Sequence, residues 1–272
     1  MRSSGNASGR NGLAPRGKDG ERRSDRGGSP GFLKVIGLGP GANELLAPLA
    51  GQALAHAACV VGYGRYLSLI PDELLVGKEI FSAGMKRETE RAEKAIESAL
   101  AGAHTVVVSG GDPGVYGMAS LVLEMLEKRG LLDTIELEIV PGIPALTAGA
   151  AILGAPVGHD FAVISLSDLL TPWETIKKRL ALASRADFVI VLYNPRSKNR
   201  PGLLAQALTT ILKSRSPDTV LGAVRQAYRK GCRSEVTTLG EYDPTNADML
   251  TIIYIGNSNT RALGDRMLTP RG

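Results

Sequence analysis

Apolar runs of strand length alternate with amphipathic stretches of helix length along the first half of the chain. The apolar runs lie at 32–38, 58–62, 105–109 and 135–140, and residues 88–102 show the apolar spacing of one helical face. Strands that are apolar on both faces and alternate with helices are typical of a parallel sheet covered by helices. The pattern therefore predicts an α/β fold with a mainly parallel N-terminal sheet.

The pattern changes after Gly142, where several strands follow one another with no helix between them. Helices are predicted at 143–153, 173–183 and 201–213, and strands at 161–166, 187–193, 220–224, 235–239 and 250–255. Consecutive strands favour antiparallel pairing, so this second sheet is predicted to be mixed. We therefore predict an N-terminal α/β domain at 32–142 and a C-terminal α/β domain at 143–272.

Two residues are candidate starting points of helices. Asn43 is a candidate N-cap for a helix that ends near His56, because its side chain can accept a hydrogen bond from a free amide of the first turn. Pro201 is a candidate first residue of the helix that ends near Lys213, since proline is favoured at that position.

Residues 1–31 differ from the rest of the chain in composition. They hold seven basic and three acidic residues, and so carry most of the net charge of +5, and they are rich in Gly and Ser with few apolar side chains. Such a segment cannot offset its ordering entropy by burial, which predicts a disordered tail. A targeting peptide and a basic arm for nucleic acid are the alternatives.

The overall composition indicates a cytoplasmic enzyme. Of the 272 residues 43% are hydrophobic and 22% charged, and no apolar run reaches the roughly eighteen residues that a membrane span needs. Cys59 and Cys232 stand far apart, which excludes a disulfide framework and a zinc site built on thiolates. We expect no protein-bound metal. The sequence also lacks the Gly-x-Ser-x-Gly and His-Glu-x-x-His motifs of common hydrolases.

Four predicted strands end in loops rich in glycine or proline. The loops lie at 37–41 (GLGPG), 110–114 (GGDPG), 141–144 (PGIP) and 192–195 (LYNP). Open α/β sheets bind ligands at the carboxyl ends of their strands, so these loops are predicted to line one crevice, in which Asp112 can accept hydrogen bonds. No P-loop lysine follows the glycines, which argues against a triphosphate ligand.

The first of these loops matches the dinucleotide-binding fingerprint only in part. The glycine spacing of residues 37–41 fits, but Pro40 removes an amide that a pyrophosphate would use. Val60 and Val61 stand where an acid would bind the ribose. A nicotinamide-dependent oxidoreductase is therefore a less favoured alternative.

Taken together, the four loops resemble those of the tetrapyrrole methylases, which use S-adenosylmethionine, in their order and approximate spacing. Further markers lie at 61–66 (VGYGRY), 114–118 (GVYGM), 165–173 (SLSDLLTPW) and 186–195 (ADFVIVLYNP), followed by Arg200. The resemblance covers about residues 32–256. It implies a homodimer of two-domain α/β chains in which the methyl donor is bound in the cleft between the domains.

The resemblance also implies a reaction and a set of donor contacts. The reaction is methylation of a precorrin, either precorrin-3B or its cobalt form, at ring carbon 17, with contraction of the ring to precorrin-4. The implied donor contacts are Pro40, Gly110, Gly111, Asp112, Val115, Pro144, Ala145, Asn194, Ala223 and Thr251. For Ala223 and Thr251, ordinary strand packing is an equally good explanation. The nearest alternative is a sister methylase that acts on uroporphyrinogen-III or on another precorrin position.

Ring contraction requires proton movements, and hence an acid or base. Asp168, Tyr193 and His159 are the candidates, although Asp168 could equally cap the helix that follows it. Arg196 and Arg200 follow a strand end and are candidates for binding substrate carboxylates. Further basic residues could pair with the same groups, although a solvated surface charge is the better explanation for any single one: Arg65, Lys86, Arg87, Lys198, Arg225 and Arg229. A nucleic-acid-binding module, with salt-dependent affinity centred on the tail, is the alternative from another class, but we expect neither a nucleic acid nor a membrane as partner.

Overall fold

The first five strands form one sheet in the computed structural model, which describes residues 31–197 and 201–272. The strands are β1 (Gly31–Gly37), β2 (Cys59–Gly62), β3 (Glu79–Ser82), β4 (His104–Ser109) and β5 (Ile135–Val140). All neighbours pair in parallel, in the order β3-β2-β4-β1-β5. The predicted parallel N-terminal sheet is confirmed, whereas the tail predicted before it, apart from Gly31, lies outside the described residues.

Helices cover both faces of this sheet. They are α1 (Pro48–His56), α2 (Gly64–Leu67), α3 (Glu88–Leu100) and α4 (Ala119–Lys128). Helices α3 and α4 pack on one face around Leu33 and Val107, and α1 packs on the other around Ile36 and Val108. The predicted N-cap at Asn43 is wrong. Residues Asn43–Leu45 form a short 3-10 turn, and α1 starts at Pro48 behind Ala47, because the proline supplies the first helical residue itself.

The second sheet is mixed, as predicted. Its order is β10-β9-β11-β8-β7. The elements from Ala145 onward are α5 (Ala145–Leu153), β6 (Gly154–Ala155), β7 (Phe161–Ser165), α6 (Trp173–Arg185), β8 (Val189–Tyr193), α7 (Leu203–Leu212), β9 (Val220–Arg225), β10 (Arg233–Thr238) and β11 (Thr251–Ile255). Strands β7 and β8 are parallel, and β11 runs antiparallel to both of its neighbours, β8 and β9. Pro201 is not the first residue of α7, because Gly202 occupies its N-cap.

A small third sheet and the segment between the two large sheets complete the fold. The hairpin of β12 (Arg261–Leu263) and β13 (Arg266–Leu268) pairs with β6. Within the part of the chain that the structure describes, none of the helices has the length and apolar character needed to cross a membrane. Residues 141–144 connect β5 of the first sheet to α5, and the domain boundary at Gly142 stays a prediction.

Candidate functional site at the facing strand ends

The loops that follow β1, β4 and β5 meet through their backbones. Gly39 and Gly111 pair as an isolated bridge, with the Gly111 N–H donating to the Gly39 carbonyl at 2.8 Å and the reverse bond at 3.1 Å. A Cβ on Gly37 would lie 2.4 Å from the Gly111 oxygen, and one on Gly142 would lie 2.2 Å from the same atom. Side chains would separate these loops, so glycine is required for the three strand ends to converge.

Asp112 connects two of these loops. Its Oδ1 accepts a hydrogen bond from the Gly114 amide at 2.8 Å, and its Oδ2 accepts one from the Gly142 amide at 3.0 Å. Val115 closes the same turn, with its N–H donating to the Asp112 carbonyl at 3.3 Å. Both oxygens of the carboxylate therefore already bind main-chain amides, and its primary effect is to hold the loop after β4 against the loop after β5.

At the corresponding edge of the second sheet, two tyrosines fix the first turn of α5. The Tyr193 Oη, at the end of β8, accepts a hydrogen bond from the Leu146 N–H at 2.8 Å. The fully buried Tyr254 lies within hydrogen-bonding distance of the Ala145 and Leu146 carbonyls, at 3.0 and 2.7 Å. Burial raises the pKa of both phenols, that of Tyr193 to about 12. Both are therefore protonated at neutral pH.

Asn194 and Thr251 lie at this same edge. Asn194 has a φ of +53°, and its Nδ2 donates to the Ser165 Oγ at 2.9 Å across the ends of β8 and β7. Thr251 is 6% exposed, and its Oγ1 donates to Asp248, which in turn pairs with Arg225 at 2.8 Å. Polar side chains thus link the strand ends in two pairs, β8 with β7 and β11 with β9.

The edges of the two large sheets face each other. From the loop after β4, the Tyr116 Oη donates to the Val163 carbonyl of β7 at 3.3 Å, and the Tyr116 ring lies 5.2 Å from that of Tyr193. From the segment after β9, Arg229 donates from its Nε to the Pro40 carbonyl. A cleft lined by both edges is the candidate site.

Most of the predicted donor contacts lie around this cleft. They are Pro40, Gly110, Gly111, Asp112 and Val115 on the first edge, Pro144 and Ala145 at the start of α5, and Asn194 and Thr251 on the second edge. Ala223 differs from them, because it lies inside β9, is 7% exposed and packs in the core between β9 and helices α6 and α7. Its local contacts fit the strand-packing explanation.

The predicted acid–base and substrate residues are not all brought together. His159 precedes β7, at the end opposite Ser165, and β7 spans roughly 15 Å. Asp168 is exposed in the loop after Ser165, on the cleft edge, and it does not cap α6, whose N-cap is Pro172. Arg196 donates to the Thr245 carbonyl at 2.7 Å on the exposed surface. Arg200 lies outside the described residues.

Two cleft residues, Tyr66 and Tyr116, were missed by the sequence reasoning as site candidates, and Arg229 was only one of several basic residues that could pair with substrate carboxylates. The ring of Tyr66 fills the space over Gly110, where a Cβ would lie 2.6 Å from its Cε1. Tyr66 and Tyr116, together with the almost fully buried Arg91, line a cavity of about 120 Å³ beside the end of β4. Tyr66 and Tyr116 belong to the quoted markers 61–66 and 114–118, so the signal was present, but nothing local singles out Arg229.

The described part of the chain does not form a metal site. Among residues 31–197 and 201–272 there is no group of three or more His, Cys, Asp and Glu side chains that could hold an ion. The cleft presents mainly peptide groups, phenols and guanidinium groups, which suit an organic ligand with polar and anionic groups.

Comparison with known proteins identifies a family and several relatives that match most of the chain. The model of the family described as tetrapyrrole (corrin/porphyrin) methylases matches residues 33–243. A Salmonella typhimurium protein named probable cobalt-factor III C(17)-methyltransferase is 46% identical over 242 residues, covering 89% of this chain and 99% of the relative. A Sinorhizobium precorrin-3B C(17)-methyltransferase is 43% identical over 253 residues, covering 89% and 96%.

A solved structure matches over the same region. The crystal structure of the methyltransferase CobJ is 40% identical in sequence, covers 88% of this chain and 100% of its own, and has a TM-score of 0.84. The two-sheet architecture and the facing strand ends lie within this matched region, so the cleft belongs to the part that the chain shares with its relatives.

Proposed function

Because the chain belongs to the tetrapyrrole methylase family and is a methyltransferase, we propose that it methylates a precorrin at ring carbon 17 and contracts the ring, in cobalamin biosynthesis. The substrate is precorrin-3B or its cobalt form, and the product is precorrin-4 or its cobalt form. One observation carries the proposal: relatives named for methylation at this carbon match the chain over nearly their whole length, at 46% and 43% identity.

The cleft residues suit S-adenosylmethionine, the methyl donor that the tetrapyrrole methylases use. When bound, the donor supplies an activated methyl group, so the protein mainly aligns the reactants. Backbone packs directly on backbone where Gly37, Gly111 and Gly142 meet, and Gly111 and Gly142 are partly exposed there, as expected where peptide groups bind the ligand. We assign donor binding to this meeting point, to the start of α5 and to Asn194.

Tyr193 is a positioning residue in this proposal. Its pKa of about 12, raised by burial, keeps the phenol protonated at neutral pH, so it cannot serve as a base there. Its oxygen accepts from Leu146 and so fixes the first turn of α5, while its own proton remains to donate a hydrogen bond.

Asp168 remains the candidate for moving a proton during ring contraction. It is exposed in the loop after β7, on the edge that carries Tyr193, and a carboxylate there can accept a proton from a bound ring. His159 is left out of this role because it lies at the other end of β7.

A product analysis tests the proposal. The full chain is incubated with S-adenosylmethionine carrying a labelled methyl group in three separate reactions. Each reaction contains one tetrapyrrole: precorrin-3B, cobalt-factor III or uroporphyrinogen III. We expect one labelled methyl group on a precorrin-3B or cobalt-factor III product, with fragmentation that places it at carbon 17. Reactions without donor are the control. Labelled product from uroporphyrinogen III alone would show a sister methylase instead.

A further inference from the structure

Arg229 is a half-buried cation that has no carboxylate partner in the described part of the chain. Its Nε donates to the Pro40 carbonyl, and no residue within 31–197 or 201–272 hydrogen-bonds to its two terminal nitrogens. Three other arginines that are buried or partly buried each pair with an acid: Arg91 with Glu88, Arg215 with Asp187, and Arg225 with Asp248. Arg229 differs from these three.

The surroundings of Arg229 disfavour its positive charge unless an anion lies nearby. Burial lowers the pKa of its guanidinium, and the positive charge of Arg65 lowers it further, against an opposing effect from Tyr66. The phenol of Tyr66 is itself kept protonated, since burial raises its pKa. Two cations and a neutral phenol thus lie together, and Glu88, the acid that acts on Tyr66, is already paired with Arg91.

The position of Arg229 places this charge at the candidate site. Its stem lies against Gly41, where a Cβ would be 2.7 Å from Nε and 3.0 Å from Cγ, so the glycine leaves room for the arginine. Gly41 belongs to the loop after β1, and Arg229 follows β9 of the other sheet. With Nε engaged, the guanidinium is oriented, and its terminal nitrogens remain for a bidentate partner.

We propose that Arg229, with Arg65 beside it, binds a carboxylate of a ligand held in the cleft. The inference rests on the proposed function, because both of its reactants carry carboxylates: the amino-acid end of the methyl donor and the acidic side chains of the tetrapyrrole. A guanidinium forms paired hydrogen bonds to such a group, which fixes orientation as well as affinity.

The test separates the two sources of the carboxylate. Calorimetry measures the binding of S-adenosylhomocysteine and of 5′-methylthioadenosine, which lacks the amino-acid carboxylate, to the wild type and to R229Q and R229K. Steady-state kinetics measures KM for cobalt-factor III or precorrin-3B, whichever the wild type methylates. Gln at position 229 can still donate to Pro40 but has no charge. R261Q, at an exposed position in β12, controls for the loss of one arginine.

We expect R229Q either to bind S-adenosylhomocysteine roughly tenfold to a hundredfold more weakly or to raise the tetrapyrrole KM by a similar factor, while R261Q matches the wild type. A loss for S-adenosylhomocysteine but not for 5′-methylthioadenosine identifies the donor carboxylate; a rise in tetrapyrrole KM with donor binding unchanged identifies the substrate. R229K should recover part of either loss, because it keeps the charge without the planar fork.

The proposal is overturned if R229Q leaves both arms unchanged, or if it weakens both nucleosides equally with tetrapyrrole KM unmoved, since Arg229 would then only hold the loop after β1. If R229Q does not fold, the two nucleoside affinities and the tetrapyrrole KM are measured in R229K instead. Values equal to those of the wild type would then overturn the proposal. A wild type that binds neither nucleoside would contradict the proposed function rather than the role of Arg229.

Discussion

The Oδ2 of Asp112 accepts a hydrogen bond from the Gly142 amide at 3.0 Å, and so connects the loop after β4 to the segment that leads into α5. The other carboxylate oxygen accepts from Gly114 in its own loop. Asp112 stays a predicted donor contact, and these two bonds show that it also holds the loops together. Substitution of Asp112 should therefore lower the stability of the fold.

We expect Asp112→Ala to lower the free energy of unfolding by about 2 kcal/mol, because two charge-assisted hydrogen bonds to main-chain amides are lost. Asp112→Asn, which keeps one acceptor oxygen, should lose less. Urea denaturation measures both changes. Asp133→Ala, at an exposed position between α4 and β5, is the matched control and should lie close to the wild type. Equal stability of the Asp112 and Asp133 variants would contradict this position for the carboxylate.

Tyr193→Phe should weaken donor binding without changing the shape of the pH–rate profile. The substitution removes the acceptor for the Leu146 N–H and so loosens the first turn of α5, at a cost of about 1 kcal/mol. With a pKa of about 12, the phenol does not titrate in the neutral range. Calorimetry with S-adenosylhomocysteine and kcat measured across neutral pH give the two readouts. A lost limb of the pH profile in the variant would instead make Tyr193 an acid or base.

Stability should fall as the pH rises above about 10. Burial raises the pKa of Tyr193 and of Tyr242 to about 12, whereas an unfolded tyrosine titrates near about 10. Between these values the unfolded chain has released protons that the folded chain retains, so the free energy of unfolding decreases with pH. The contribution is complete below the unfolded pKa and is lost as the pH approaches the folded pKa.

Denaturation curves recorded from about pH 8 to about pH 11 measure this decline. Tyr242→Phe removes one of the titrating groups and should make the decline shallower. An identical decline in the wild type and in Tyr242→Phe would rule out Tyr242 as a source of the pH dependence.

Replacing two helical glycines by alanine should change the stability of the fold in opposite directions. At Gly149 in α5, a Cβ would lie 2.4 Å from the Tyr254 Oη and 2.9 Å from Ile252, so Gly149→Ala should destabilise the fold by roughly 1–3 kcal/mol. At Gly51 in α1 the nearest atom is 3.9 Å away, and Gly51→Ala should stabilise it by roughly 0.5–1 kcal/mol.

Thermal or chemical denaturation of the Gly149 and Gly51 variants tests the contrast. In the double variant Gly149→Ala with Tyr254→Phe, the two losses should not add, since the removed hydroxyl is the atom that the new methyl group meets. Full additivity would place the clash elsewhere.

Much of the framework was predictable because local chemistry fixes it. The loops 37–41 and 110–114 end buried strands, and their glycines are required by the close contact of Gly37 with Gly111. In α3, the stripe of Ala92, Ala95 and Ile96 is fully buried, as its spacing predicts.

What could not be predicted depends on neighbours far away in the sequence. Strand β3 is mostly exposed and lies at a sheet edge, so it carries no apolar alternation. Strand β6 has only two residues and exists because β13 pairs with it. Arg229 reaches Pro40 across 189 positions, and no local pattern distinguishes it from a surface arginine.

Where the partly exposed Gly111 and Gly142 pack beside the buried Gly37, the cleft wall consists of peptide groups alone. Peptide groups do not titrate, so their hydrogen bonding is the same in mild acid and in mild alkali. A side-chain substitution cannot alter them without forcing the three loops apart. Changes of substrate preference during divergence must therefore come from side chains around this wall, such as Tyr66, Tyr116 and Arg229, while the wall itself stays constant.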